Sequence, residues 1–143
     1  MTVSAILKHK GANVAGVSPG HTLADVANVL AFRRIGSVVV LEGELLVGIV
    51  SERDIIYALA AHGGVALEMK VVALMTTEVH TASLATTYDD AIRAMTDGRF
   101  RHMPVIDGGR LVGIVSIGDV VKARMMEQET EVDGLRAYVA GSA

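Results

Sequence analysis

Two tetrapeptides carry the residue types from which a small polar site is most easily built: Ser51-x-x-Asp54 and Ser116-x-x-Asp119. Each follows an apolar run, so each stands at a predicted strand-to-helix junction. A hydroxyl and a carboxylate three residues apart can both accept from free backbone N–H groups of a first helical turn. Carboxyl ends of strands and starts of helices are also where ligands collect in open α/β architectures. A plain N-cap and a ligand-facing pair are therefore both open readings, and they are compatible. Arg101-His102 precedes an apolar strand and reads either as a solvated strand start or as a pair of phosphate ligands. His9, His21, His62, His80 and His102 show no metal-ligand spacing, which favours surface or junction roles. There is no H-E-x-x-H, C-x-x-C or G-x-x-x-x-G-K in the chain.

The two tetrapeptides end a longer repetition. Leu46 to Asp54 reads L-V-G-I-V-S-E-R-D and Leu111 to Asp119 reads L-V-G-I-V-S-I-G-D, with seven of nine positions identical at an offset of 65 residues. Repetition at fixed spacing means two copies of one unit, and two copies suit a closed pseudo-symmetric pair better than a solenoid.

The elements that must position these residues repeat as well. Thr2 to Lys10 makes a short helical turn ended by Gly11, and Ala12 to Val17 a short strand closed by Ser18-Pro19-Gly20. Thr22 and Asp25 cap a helix with an apolar stripe at Val26, Ala27, Val29 and Leu30 that could extend to Phe32. Ser37 to Leu41 and Leu45 to Val50 form a hairpin around Glu42-Gly43-Glu44, and Ser51 opens a second helix. Adding 65 gives Val71 to Met75, Val79 to Ser83, the Thr87/Asp90 cap, Arg101 to Ile106, Leu111 to Val115 and the Ser116 helix start, without a gap. The last helix runs on to about Tyr138, with Gly134 expected to interrupt it at a cost of about 1 kcal/mol relative to Ala. The fold class is α/β: two β-α-β-β-α motifs, residues 1–64 and 65–143, packed through their small sheets into one module with a long C-terminal helix. A unit of about 60 residues would be marginal alone, so the halves are expected to fold against each other.

Composition narrows the function classes. Hydrophobic residues are 51% of the chain but aromatics only 3%, so the core must be aliphatic. The absence of cysteine excludes disulfides and thiolate metal sites. A net charge of −3 and the lack of a basic-aromatic cluster argue against nucleic acid. No apolar run reaches the roughly 18–20 residues that span a bilayer, and the start does not read as a secretory signal, so a cytoplasmic setting is expected.

Met103-Pro104-Val105-Ile106 with Gly113 to Asp119, and Val38-Val39-Val40 with Gly48 to Asp54, resemble a pair of cystathionine β-synthase (CBS) domains, the Bateman module. The resemblance covers about residues 10 to 123 and leaves no catalytic domain over, so the chain is similar to a stand-alone pair. It implies an adenosine-containing ligand (AMP, ADP, ATP, NAD(H) or S-adenosylmethionine) in the cleft between the copies, and no catalytic cofactor or metal. The resemblance gives the ribose to Asp119 with Ser116, and to Asp54 with Ser51. It gives the adenine of the Asp119 site to Val14, Ala15, Ile35, Gly36 and Ile114, and that of the Asp54 site to Val79, His80, Phe100 and Ile49. Arg101 and His102 are the implied phosphate ligands. Gly36-Ser37 stands where the other copy has Arg101-His102, so the Asp119 site is expected to be the stronger. The Asp54 site would borrow charge from Arg53, Arg34 or Arg101.

The function implied is regulatory: a nucleotide sensor that changes orientation or partner contacts on binding. A homodimer is implied as well, through the stripes Val26–Leu30 and Ala91–Met95 and through Val120, Val121, Met125 and Met126. An unidentified regulated protein would be the downstream partner. Two other readings remain. One is a nucleotide-acting enzyme with Asp119 or His102 as general base; the other is a ligand-free structural dimer.

Overall fold

Hydroxyl-to-acid caps set the helix starts. The structure, a computed structural model, describes residues 1–11 and 13–141. The chain runs α1 (Val3–Lys10), β1 (Gly16–Val17), α2 (Leu23–Arg33), β2 (Ser37–Glu42), β3 (Leu45–Ser51), α3 (Glu52–His62), a 3-10 helix (Gly63–Glu68), α4 (Val71–Leu74), α5 (Tyr88–Gly98), β4 (His102–Asp107), β5 (Arg110–Ser116) and α6 (Ile117–Gly141). Thr22 and Ser51 form complete capping boxes with Asp25 and Asp54, and Thr87 accepts from the Asp90 amide. Ser116 and Asp119 exchange the same two bonds at α6, at 2.9 and 3.1 Å. The internal repeat extends to backbone that side chains rarely adopt: α2 and α5 end on Arg34 and Arg99, both left-handed, at φ 54° and 57°.

Each half contributes an antiparallel hairpin, with Ser37 opposite Ser51 and His102 opposite Ser116. Both hairpins shift register at equivalent places, between Val40 and Leu41 and between Val105 and Ile106. In the first half, β1 adds a parallel strand to β2. It is shorter than the strand expected over 12–17, of which Ala12 lies outside the described residues. The strand expected over Val79 to Ser83 does not form; a single bridge joins Ala82 to Val105. Pro104 supplies the reason. Its counterpart Val39 donates its amide to the Ala15 carbonyl at 3.2 Å, and proline has no N–H to give.

Two cores result, and each takes its opening helix from the other half. Val3, Ile6 and Leu7 of α1 pack with Val105, Val115, Met95 and Val120 of the second half. Val71 of α4, with Leu74 and Met75, packs with Leu23, Val26, Val38 and Val50 of the first. The sheets meet where β3 packs against β5.

Two sequence expectations are corrected here. Gly134 does not interrupt α6, which is continuous from Ile117 to Gly141; one glycine weakens a helix without breaking its hydrogen-bond ladder. The stripes expected at a dimer interface are largely consumed inside the chain: Val26, Leu30, Ala91, Met95 and Val120 are buried in its own cores. Of that set, Val121, Met125 and Met126 stay exposed. Among the described residues, no helix is long and apolar enough to cross a membrane.

The helix exchange makes a direct prediction at the glycines beneath it. A Cβ on Gly48 would stand 2.6 Å from Met75 Sδ and 3.0 Å from the Thr76 carbonyl oxygen. On Gly113 it would meet only the Leu7 side chain, at 2.6 Å. Gly48→Ala should therefore lose about 1–3 kcal/mol in urea unfolding, and more than Gly113→Ala, because backbone yields less readily than a leucine tip.

Candidate functional site

The start of α3 faces residues of the second half across a cavity of about 240 Å³. Gly36, Ile49, Ser51, Glu52, Arg53 and Asp54 line it from the first half, and Thr76, Arg99, Phe100, Arg101 and His102 from the second. The capping box holds the Asp54 carboxylate: Oδ2 accepts from the Ser51 amide at 2.8 Å and the Ser51 hydroxyl at 3.2 Å. Oδ1 accepts from Thr76 Oγ1 at 3.3 Å. Thr76 itself is fixed by a two-way backbone pairing with Ile49.

The cations of this cleft come mainly from the turn between α5 and β4. The left-handed cap at Arg99 puts Arg99, Phe100 and Arg101 on consecutive positions at the cavity wall. Arg53 Nη1 donates to the Arg99 carbonyl at 3.0 Å, tying α3 to that turn. The ion pairs among the described residues leave Arg53, Arg99 and Arg101 out. Phe100 is stacked on His80, with ring centroids 4.6 Å apart and planes 8° from parallel. Gly36 permits His102 to approach: a Cβ there would stand 3.0 Å from both His102 Nε2 and Glu52 Oε1. Burial pushes the His102 imidazole below its ordinary 6.5, and the Lys10 charge, then Arg101, push the same way against Glu52 and Asp119. The lowered pKa keeps the ring largely neutral at pH 7, among charges of both signs.

Asp119 is placed differently. Its Oδ2 accepts from the Ser116 amide and from Lys10 Nζ, the latter at 2.7 Å. Lys10 Nζ also donates to the Ile114 carbonyl at 3.2 Å. Burial raises the Asp119 pKa, but the bond from Lys10, the Ser116 amide and the Lys10 charge outweigh it and hold the carboxyl below 3.8. The cavity that Asp119 lines runs between α1 and α6, with Ala5, Ile6, His9, Tyr88, Lys122, Ala123 and Met126.

These positions bear on the expected asymmetry. Arg101 and His102, on which the stronger Asp119 site rested, line the Asp54 cavity. Asp54, Ser51, Arg53, Ile49 and Phe100 come together as the sequence suggests, joined by Gly36. His80 reaches the cleft only through its stack on Phe100. Val79 lines a separate cavity between the hairpin ends, with Leu45, Thr81 and Leu111. Ile35 lines a shallow groove beside α2 and α3, and Ala15 packs on the first core. Val14 is half-buried. Glu52, Thr76 and Arg99 were not singled out from the sequence. The 65-residue offset pairs Thr76 with Gly11 and Glu52 with Ile117, so unlike partners hid these two; Arg99 matches Arg34 and was legible from the repeat.

Against known proteins, the CBS domain profile matches twice, over residues 3–61 and 71–126. The chain belongs to the CBS domain family. As a tandem CBS pair it is 34% identical to the mitochondrial CBS domain-containing protein CBSX3 of Arabidopsis thaliana, over 98% of this chain and 72% of that one. The crystal structure of the CBS-domain protein ATU1752 from Agrobacterium tumefaciens superposes with a TM-score of 0.85 at 42% identity, covering 87% of this chain and 99% of that one. The CBS pair of MJ0100, solved with 5′-methylthioadenosine and S-adenosylmethionine, shares the fold at a TM-score of 0.78 and 24% identity, covering 89% and 98%.

The histidine in the cleft makes the stability pH-dependent with a defined sign. The unfolded chain protonates His102 near 6.5, whereas the folded chain resists until lower pH. Stability present above 6.5 is therefore lost as pH falls through the folded value. Thermal melts from about pH 7.5 to about pH 5.5 should drop for the wild type and drop less for His102→Gln. Parallel curves would mean that this imidazole is not shielded.

Proposed function

We propose that this CBS pair is a regulatory module that binds a phosphorylated adenosine ligand in the Asp54 cleft. One observation carries the reading. A carboxylate with a partly engaged oxygen shares a cavity with Arg53 of its own helix and with Arg99, Arg101 and His102 of the other half. The carboxylate suits a ribose diol, which can donate two hydrogen bonds. Arg99 and Arg101 suit phosphate, which guanidinium binds bidentately. The α3 N-terminus adds its own preference for an anion. The adenosine compounds bound by the MJ0100 pair support the same chemistry on the same fold. A ligand touching both halves favours one relative orientation over others, which is all that a sensor requires.

The partner at the far end is a second copy of this chain. Val121, Met125, Val132 and Leu135 are exposed along α6 at heptad spacing, with Gln128 completing the row. From Gln128 to Gly141 every residue is exposed, and a free helix of that length is marginal. Glu129, Asp133 and Arg136 border the same groove as Met125 and Val132. Charges of both signs along this groove suit ion pairs across a two-fold axis between copies.

Thermal shifts with millimolar AMP, ADP, ATP, NADH and S-adenosylmethionine test the ligand. The melting point should rise with at least one of them, and Asp54→Ala should abolish the rise. Arg101→Ala should weaken AMP binding roughly tenfold and leave adenosine binding nearly unchanged. Flat melts throughout would favour a ligand-free dimer, and conversion of the nucleotide would favour an enzyme. For the dimer, sedimentation should give twice the chain mass, reduced to the monomer by Val132→Glu with Leu135→Lys.

A further inference from the structure

The 65-residue correspondence holds through the caps, the hairpins and the left-handed arginines, so the place where it fails is informative. It fails at the ends of the exchanged helices. Met75 corresponds to Lys10, Gly48 to Gly113 and Asp54 to Asp119. In the first half, Met75 leaves α4 in extended conformation and lays its sulfur against Gly48. In the second, α1 runs one residue further, through Lys10, and Leu7 covers Gly113 instead. The Lys10 side chain is thereby spared from packing and reaches Asp119 and the Ile114 carbonyl.

The equivalent groups in the other half are differently satisfied. The Ile49 carbonyl accepts from the Thr76 amide at 2.9 Å. Asp54 meets hydroxyls and amides only, and no cation pairs with it among the described residues. Lys10 therefore occupies Asp119 Oδ2 and the Ile114 carbonyl, two acceptors that a ribose or a base would use in the second half. The ammonium is tethered to the chain, so it competes as an intramolecular occupant at high effective concentration.

We propose that Lys10 is a built-in plug which closes the Asp119 half-site, so that the duplicated module takes one nucleotide per chain. This rests on the nucleotide reading of the Asp54 cleft. The ion pair lies between half-exposed and half-buried groups, with side-chain exposures of 41% and 28%, so it can be displaced without unfolding either core. The His102 imidazole has no counterpart here either. Ser37 stands where the offset places His102, and its hydroxyl is buried without a partner among the described residues.

Equilibrium dialysis with saturating AMP tests the plug by counting sites. Wild type should bind one AMP per chain, and Lys10→Met, which installs the residue of the other half, should bind two. Lys10→Gln removes the charge with a shorter polar side chain and should do the same if the methionine disturbs α1. Asp54→Ala should bind none, and Asp54→Ala with Lys10→Met should bind one. Two AMP per wild-type chain, or one in both Lys10 variants, overturns the plug and leaves the Asp54 reading standing. None in the wild type but one in Lys10→Met sinks the Asp54 reading and supports the plug. No uptake by any variant overturns both.

Discussion

Each core is closed by a helix that the other half supplies, and the geometry of the module follows from that exchange. Val3, Ile6 and Leu7 can leave water only against the second hairpin, and Val71 only against the first. The residues that follow each helix are then delivered to the opposite sheet. Thr76 comes to Ile49 and Asp54; Lys10 comes to Ile114 and Asp119. The hydrophobic contact is non-directional, but the chain that leaves it is not free to go elsewhere. The cleft is thus a by-product of where two short helices must bury themselves.

The caps act at a different scale. Ser51 with Asp54, and Ser116 with Asp119, hold a carboxylate against the first turn of a helix whether or not anything binds. This pre-organisation removes rotamer freedom before a ligand arrives, which lowers what binding must offset. Chemically the two carboxylates are twins. Their surroundings make them different: hydroxyls and facing guanidiniums for one, an ammonium at 2.7 Å for the other.

Much of this was legible in the sequence, because the relevant physics is local. The duplication, the caps, the hairpins and the Ser-x-x-Asp junctions follow from spacing and residue type. What escaped was non-local. An apolar stripe says that it will be buried, not against which sheet, so the exchange of α1 and α4 and the loss of Val26–Leu30 to the interior were hidden. The Lys10–Asp119 contact spans 109 residues of chain, beyond any pattern argument. Arg101 and His102 were tied to Asp119 and line the cavity beside Asp54, since position along a strand does not tell which helix start lies opposite. Pro104 was the exception. Its missing amide was readable in advance, yet the strand it weakens was still drawn by symmetry.

The crossed helices also bear on how such a chain could arise. A lone half-chain would lack the helix that completes its core and would have to obtain it from a twin, as a swapped assembly that dissolves on dilution. Joining the twins head to tail through Gly63–Glu68 makes that association unimolecular. Once joined, the halves need no longer be identical, and one can surrender its pocket to a lysine while the other keeps its own open.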